Sequence, residues 1–97
     1  MVVRLWRGRA AADRAGLYRK HFNDGVLPRL RSIHGFLSGR LLHRFLGERV
    51  EFLVVTEWAS WEAITKFAGD DAGHAVVEPD AQEMLLDYDR TVEHFEQ

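Results

Sequence analysis

The chain has no cysteine, which excludes disulfides, thiolate metal sites and a cysteine nucleophile. It has no basic excess: the formal net charge is -2, so the electrostatic footprint of nucleic-acid binding is missing. No apolar run approaches the length of a membrane span. The opening MVVRLWRGR lacks a signal-peptide layout, so the cytoplasm is the expected compartment. Dinucleotide, phosphate-loop, zinc-protease and serine-elbow motifs are all missing, and Ser32, Ser38 and Ser60 stand in no nucleophile context. There is no internal repeat, low-complexity tract or linker. Ninety-seven residues make one domain, 1–97, with one thin core.

What is there is organised around Glu51 to Ala68, EFLVVTEWASWEAITKFA. Val50, Phe52, Val54, Thr56 and Trp58 alternate with Glu51, Leu53, Val55 and Glu57, the period of a strand with apolar residues on both faces. The period then changes. Ser60 suits a helix N-cap, Trp61, Ile64, Phe67 and Ala68 recur at helical spacing, and Gly69 supplies the stop. A central strand therefore feeds a helix that folds back over it.

Before this stretch, Val2–Arg7 reads as a strand, with Val3 and Leu5 on one face, Val2, Arg4 and Trp6 on the other, and Gly8 as its end. A helix follows from about Ala10 to Asp24, burying Ala11, Ala15, Tyr18 and Phe22, with His21 on a flank. Gly25 breaks it, and Pro28 opens a short further helix to Arg31. A strand from Phe36 to Phe45 leads through a glycine-containing hairpin, and pairing Phe45 with Val50 sets Arg44 against Glu51. This register puts Leu37, Leu41 and His43 beside Phe52 and Val54, and Phe36, Leu42, Leu53 and Val55 on the opposite face. After the second helix, residues 70–74 form a loop. Asp80 and Glu83 resemble a capping box for a short helix to Leu86, Tyr88–Arg90 is a connector, and Thr91–Glu96 is the last strand.

The order β-α-β-β-α-β predicts an α+β, ferredoxin-like domain: a four-stranded antiparallel sheet, order 4-1-3-2, with both helices on one face. Nothing then shields the other face, where Phe36, Leu42, Leu53 and Val55 would stand beside Arg40, Arg44, Glu51 and Glu57. Such a patch approaches the roughly 300–600 Å² that a monomer tolerates. The expected partner is a second copy, sheet face against sheet face, with those charges paired near the interface.

The strand-to-helix segment EFLVVTEW-ASWEAITKFAG, the Leu27-Pro28 kink, the start His34-Gly35-Phe36-Leu37 and the close Thr91-Val92-Glu93-His94-Phe95 resemble the antibiotic biosynthesis monooxygenase-like branch of the dimeric α+β barrel superfamily. The resemblance covers nearly the whole chain. It implies a homodimer, and in each protomer an apolar pocket between helices and sheet. It leaves three functions open: cofactor-independent oxygenation of an electron-rich aromatic or enolic small molecule, non-catalytic ligand binding or assembly, and haem binding or degradation. Trp58 stands where the group places a pocket tryptophan. Val54 and Ile64 stand where the polyketide oxygenases have an asparagine and a tyrosine. The axial histidine of the haem degraders falls near Val77, about a turn from His74. Their first-strand asparagine has no counterpart, Asn23 being the only asparagine in the chain.

Cofactor-free oxygenation needs an apolar pocket, a base or acceptor that favours the substrate anion, and stabilisation of developing charge. The catalytic candidates are therefore Trp58 and His74, with Tyr18, His21, Phe22, Trp58 and Phe67 against the substrate and no cofactor or metal. Each has a plainer reading: Trp58 as core, His21 as a satisfied edge histidine, His74 as an exposed loop residue. His94 and Glu96 form an H-x-E pattern that also fits a surface or interface pair, and Trp61 fits core or interface.

Overall fold

The computed structural model describes residues 1–97. Strand β1 (Val2–Ala11) is followed by a helical run: a 3₁₀ turn (Ala12–Arg14), α1 (Ala15–His21), a π turn (Phe22–Val26) and α2 (Leu27–Arg31). Then come β2 (Phe36–Leu46), β3 (Arg49–Trp58), α3 (Trp61–Ala68), α4 (Pro79–Met84), β4 (Asp87–Tyr88) and β5 (Glu93–Glu96). The antiparallel sheet runs β2-β3-β1-β4, with β5 also on β1. The α+β, ferredoxin-like order 4-1-3-2 is thus present, its outer strand built in two pieces, and the helices cover one face. No helix is long and apolar enough to cross a membrane.

Burial along β1 alternates strictly. Val2, Arg4, Trp6, Gly8 and Ala10 turn to the helices; Val3, Leu5, Arg7 and Arg9 turn away. The strand does not end at Gly8. A side chain there would run into the Trp6 ring, with a Cβ 2.6 Å from Cη2, so this glycine lets the indole lie along the strand. Pairing with β3 continues to Ala11↔Arg49.

The first helix starts later than the sequence suggests and does not break at Gly25. The chain stays helical through a wide turn in which Leu27 N–H donates to Phe22 O. Pro28, which has no N–H to give, follows immediately. The β2–β3 register is as expected, with Phe45↔Val50 and Arg44↔Glu51. Arg44 and Glu51 lie 2.7 Å apart, and Ser38 donates to Glu57 at 3.0 Å.

The register shifts between Phe36 and Ser38, and this overturns the expected placing of Phe36. The extra residue turns Phe36 inward, edge-on to Trp58 at 5.2 Å, and leaves Leu37 exposed. The uncovered face therefore carries Val3, Leu5, Leu42, Leu53, Val55 and Phe95, rimmed by Arg9, Arg44, Glu51 and Glu57.

Helix α3 begins where expected: Ser60 Oγ accepts from Ala63 N–H, and Gly69 ends it at φ +80°. The capping box at Asp80 does not form. Pro79 opens α4, and the preceding Glu78 is drawn off to Arg29 at 3.0 Å. The last strand is shorter than Thr91–Glu96 because residues 90–92 leave β1 to pair with 73–75: Ala75 N–H donates to Arg90 O and Val92 N–H to Gly73 O.

The core has two centres. Trp6, Tyr18, Phe22 and Phe52 pack at one, and Leu30, Trp58, Ala63 and Ile64 at the other.

Candidate functional site

Between these two centres lies a cavity of about 60 Å³. Its sheet side is Arg4 and Trp6 of β1 with Val54 and Thr56 of β3. The helical run supplies Tyr18, His21, Phe22, Val26, Arg29 and Leu30, and α3 adds Phe67. Val76, Val77 and Glu78, from the segment between α3 and α4, complete the wall with Ala81 of α4 and Val92. The walls are mainly apolar, and the space exceeds the roughly 10–15 Å³ that one water needs.

Four residues expected from the sequence line this cavity: Tyr18, His21, Phe22 and Phe67. Trp58 does not. It is fully buried, stacks on Phe67 at 5.8 Å, and donates its indole N–H to Thr56 Oγ1 at 2.9 Å. Thr56 faces the cavity in its place. The His74 ring also points elsewhere; it is exposed, with Nδ1 2.9 Å from Asp71 Oδ2. His74 reaches the site only through its backbone carbonyl, which accepts from Arg4 Nη2 at 2.9 Å.

His21 ends α1 at the start of the π turn, and Nε2 of its ring is buried with no hydrogen-bond partner. It is the one buried side-chain polar atom in the chain left in that state. Such an atom costs about 1–3 kcal/mol of desolvation, so it normally has a use. The neighbouring Tyr18 ring is 6.0 Å away. Burial, and then the charge of Glu78, push the Tyr18 phenol well above its usual range, so Tyr18 stays protonated and serves as wall and donor.

Arg4 was not among the expected site residues. It is buried, and burial pushes its pKa down to about 10. Its partners are neutral: Ala72 O at 2.6 Å, His74 O at 2.9 Å and His94 Nε2 at 3.0 Å. The sequence signal was an arginine on the inward face of β1, between Val2 and Trp6. Burial and Arg4's charge hold His94 below the usual imidazole range, so Nε2 accepts. The rest of the H-x-E pair is peripheral: the His94 and Trp61 rings lie 4.8 Å apart, and Trp61 Nε1 donates to Glu96 at 2.6 Å. No cluster of three potential metal ligands forms.

This arrangement can be set beside solved structures. A Deinococcus radiodurans protein named for antibiotic biosynthesis monooxygenases superposes with TM-score 0.68 at 15% identity, covering 100% of this chain and 92% of the other. The chain has the antibiotic biosynthesis monooxygenase-like fold. The haem-degrader MhuD of Mycobacterium tuberculosis, solved with two haems in its active site, gives TM-score 0.63 at 26% identity, with 100% and 95% coverage. A monooxygenase from the gene ActVA-Orf6 of Streptomyces coelicolor, in complex with nanaomycin D, gives 0.57 at 16% identity, with 97% and 82% coverage. No family model and no curated protein sequence matches the chain.

Proposed function

We propose that this cavity is a small-molecule active site in which an electron-rich aromatic or enolic substrate is oxygenated by O₂, with no added cofactor. The observation that carries the reading is His21 Nε2: a buried, unpartnered acceptor in a mainly apolar wall. In the Nδ1–H tautomer it takes a proton from a phenol or enol, and the resulting anion donates an electron to oxygen. For an activated methylene the balance is closed. CH₂ and O₂ give C=O and H₂O, one oxygen entering the product and the other leaving as water, with all four electrons drawn from the substrate.

Tyr18, Phe22 and Phe67 form the walls against the substrate. Trp58 braces Thr56 from behind the wall without taking part in the chemistry, and His74 contributes only its carbonyl, to Arg4. The test is oxygen uptake with anthrone-like and quinol substrates, without flavin or metal, in the native protein and in His21→Phe. Uptake lost in the variant supports the reading; no uptake across the panel leaves a ligand-binding module.

The likeness to MhuD supports haem as a second reading. A Soret band on titration with haem would favour it over oxygenation.

The working unit of the proposal is a homodimer closed over the uncovered sheet face, in the cytoplasm. The support is Leu42 and Phe95, 44% and 55% exposed on a face no helix covers.

A further inference from the structure

The charges around the cavity do not cancel. Arg29 and Glu78, both in its wall, neutralise each other at 3.0 Å. Arg4 faces no carboxylate, and Tyr18 and His21 bring no negative charge. One buried cation is therefore left uncompensated. Charges that are buried are normally paired, because removal from water costs several kcal/mol per ion.

The guanidinium is also incompletely used. Its five N–H groups meet three acceptors: Nη1 contacts Ala72 O and His94 Nε2, and Nη2 contacts His74 O. Nε has no partner in the chain and is not sealed off from the cavity as His21 Nε2 is, and Nη2 has one acceptor for its two protons. Nε and Nη2 form one edge of the guanidinium, the fork that takes both oxygens of a carboxylate. The three acceptors hold the plane in place: Ala72 and His74 belong to the segment that closes the cavity, and Phe67 lies under the guanidinium carbon at 5.7 Å. The fork is thus fixed before any ligand arrives.

We infer that Arg4 is a receptor for the carboxylate of an apolar-bodied organic acid, so that the molecule bound in this cavity is an anion. The carboxylate sits on the Nε/Nη2 edge, supplies the missing negative charge, and leaves the apolar body between Phe67 and Phe22. His21, on the helical wall, remains for a second polar atom of the same ligand. This rests on the cavity being a ligand site, as proposed above, but not on its being an oxygenase.

The experiment uses the native protein labelled with ¹⁵N-arginine and three probes, acetate, benzoate and neutral benzamide, at neutral pH. The expected result is that at least one of the two acids shifts the Arg4 Nε–H resonance saturably. Benzamide should bind at least about tenfold more weakly than benzoate, the loss of one charge-assisted hydrogen bond. In Arg4→Lys, which keeps the charge and loses the fork, the acid should bind at least about tenfold more weakly as well. If Arg4→Lys does not fold, the native titration alone decides. Neither acid moving the Arg4 signal overturns the inference, and so does equal binding of benzoate and benzamide. Benzoate is not oxidised here, so acid binding without oxygen uptake sinks only the oxygenase reading. Uptake of oxygen with no shift at Arg4 sinks only this one.

Discussion

Trp58 and Thr56, two residues apart on β3, are joined by an indole N–H to hydroxyl hydrogen bond of 2.9 Å. This contact turns the tryptophan into a buttress for the cavity wall. Trp58→Ala is expected to cost about 3–5 kcal/mol, a large part of the roughly 5–15 kcal/mol a domain has. Trp58→Phe is the usable variant, costing about 1–2 kcal/mol in urea denaturation through the lost hydrogen bond and volume. Its oxygen uptake per folded molecule should match that of the native protein.

His21→Phe should have the opposite pattern. It removes an unpartnered buried nitrogen, so stability should hold or rise by up to about 1 kcal/mol. Oxygen uptake should fall to background. A stability loss above about 2 kcal/mol would show that Nε2 has a structural partner.

Gly35 and Gly47 both sit at positive φ, +96° and +63°. A Cβ at Gly35 would meet Ala63 Cβ at 2.6 Å, whereas Gly47 has open space. Gly47→Ala should cost about 1–2 kcal/mol, from the left-handed backbone alone. Gly35→Ala should cost more by about 1–3 kcal/mol, because α3 must move off the start of β2. Chemical denaturation of the pair reads the difference directly.

The depressed His94 titration makes stability depend on pH. Unfolded, the imidazole binds its proton near about 6.5; folded, it binds only at lower pH, because burial and Arg4 disfavour the cation. Between these values the unfolded chain holds more protons, so stability rises with pH. The full contribution is present above about pH 6.5 and is lost as pH falls through the folded value. Urea midpoints between about pH 8 and 5 should fall more for the native protein than for His94→Gln. The other histidines are common to both, so parallel curves would remove His94 from the account.

A homodimer over the sheet face should sediment at twice the 11.2 kDa of the chain at micromolar concentration. Leu42→Asp, on that face and 44% exposed in the single chain, should shift it to the monomer with little loss of folded content. Sedimentation of the native protein as a monomer would end the proposal.

Much of the fold was legible because its signals are local. Alternation through Val50–Trp58, the Ser60 cap and the Gly69 stop each depend on a few neighbouring residues, and all hold in the structure. Phe36 was misplaced because a one-residue shift in pairing leaves no mark in composition. The capping box failed because Pro79 starts the helix one residue before Asp80, which puts Asp80 inside the first turn and makes Glu78, held by Arg29, the cap residue. The site was legible in part. Tyr18, His21, Phe22 and Phe67 follow from helical periodicity, which tells which side chains turn inward. Arg4 was placed on one face of β1 with Val2 and Trp6, but periodicity did not say which face turns inward and says nothing of charge compensation. That needed the 70–78 segment, whose path depends on pairing with residues 90–92.

That detour of residues 90–92 also bears on how copies meet. It divides the margin beside β1 into a two-residue and a four-residue piece, too short and too offset to offer a foreign strand a continuous row of free amides and carbonyls. The opposite margin, β2, runs unbroken for eleven residues. Backbone-to-backbone growth of this sheet is therefore one-sided, and two molecules that join along β2 have no equally long margin left from which a fibre could extend.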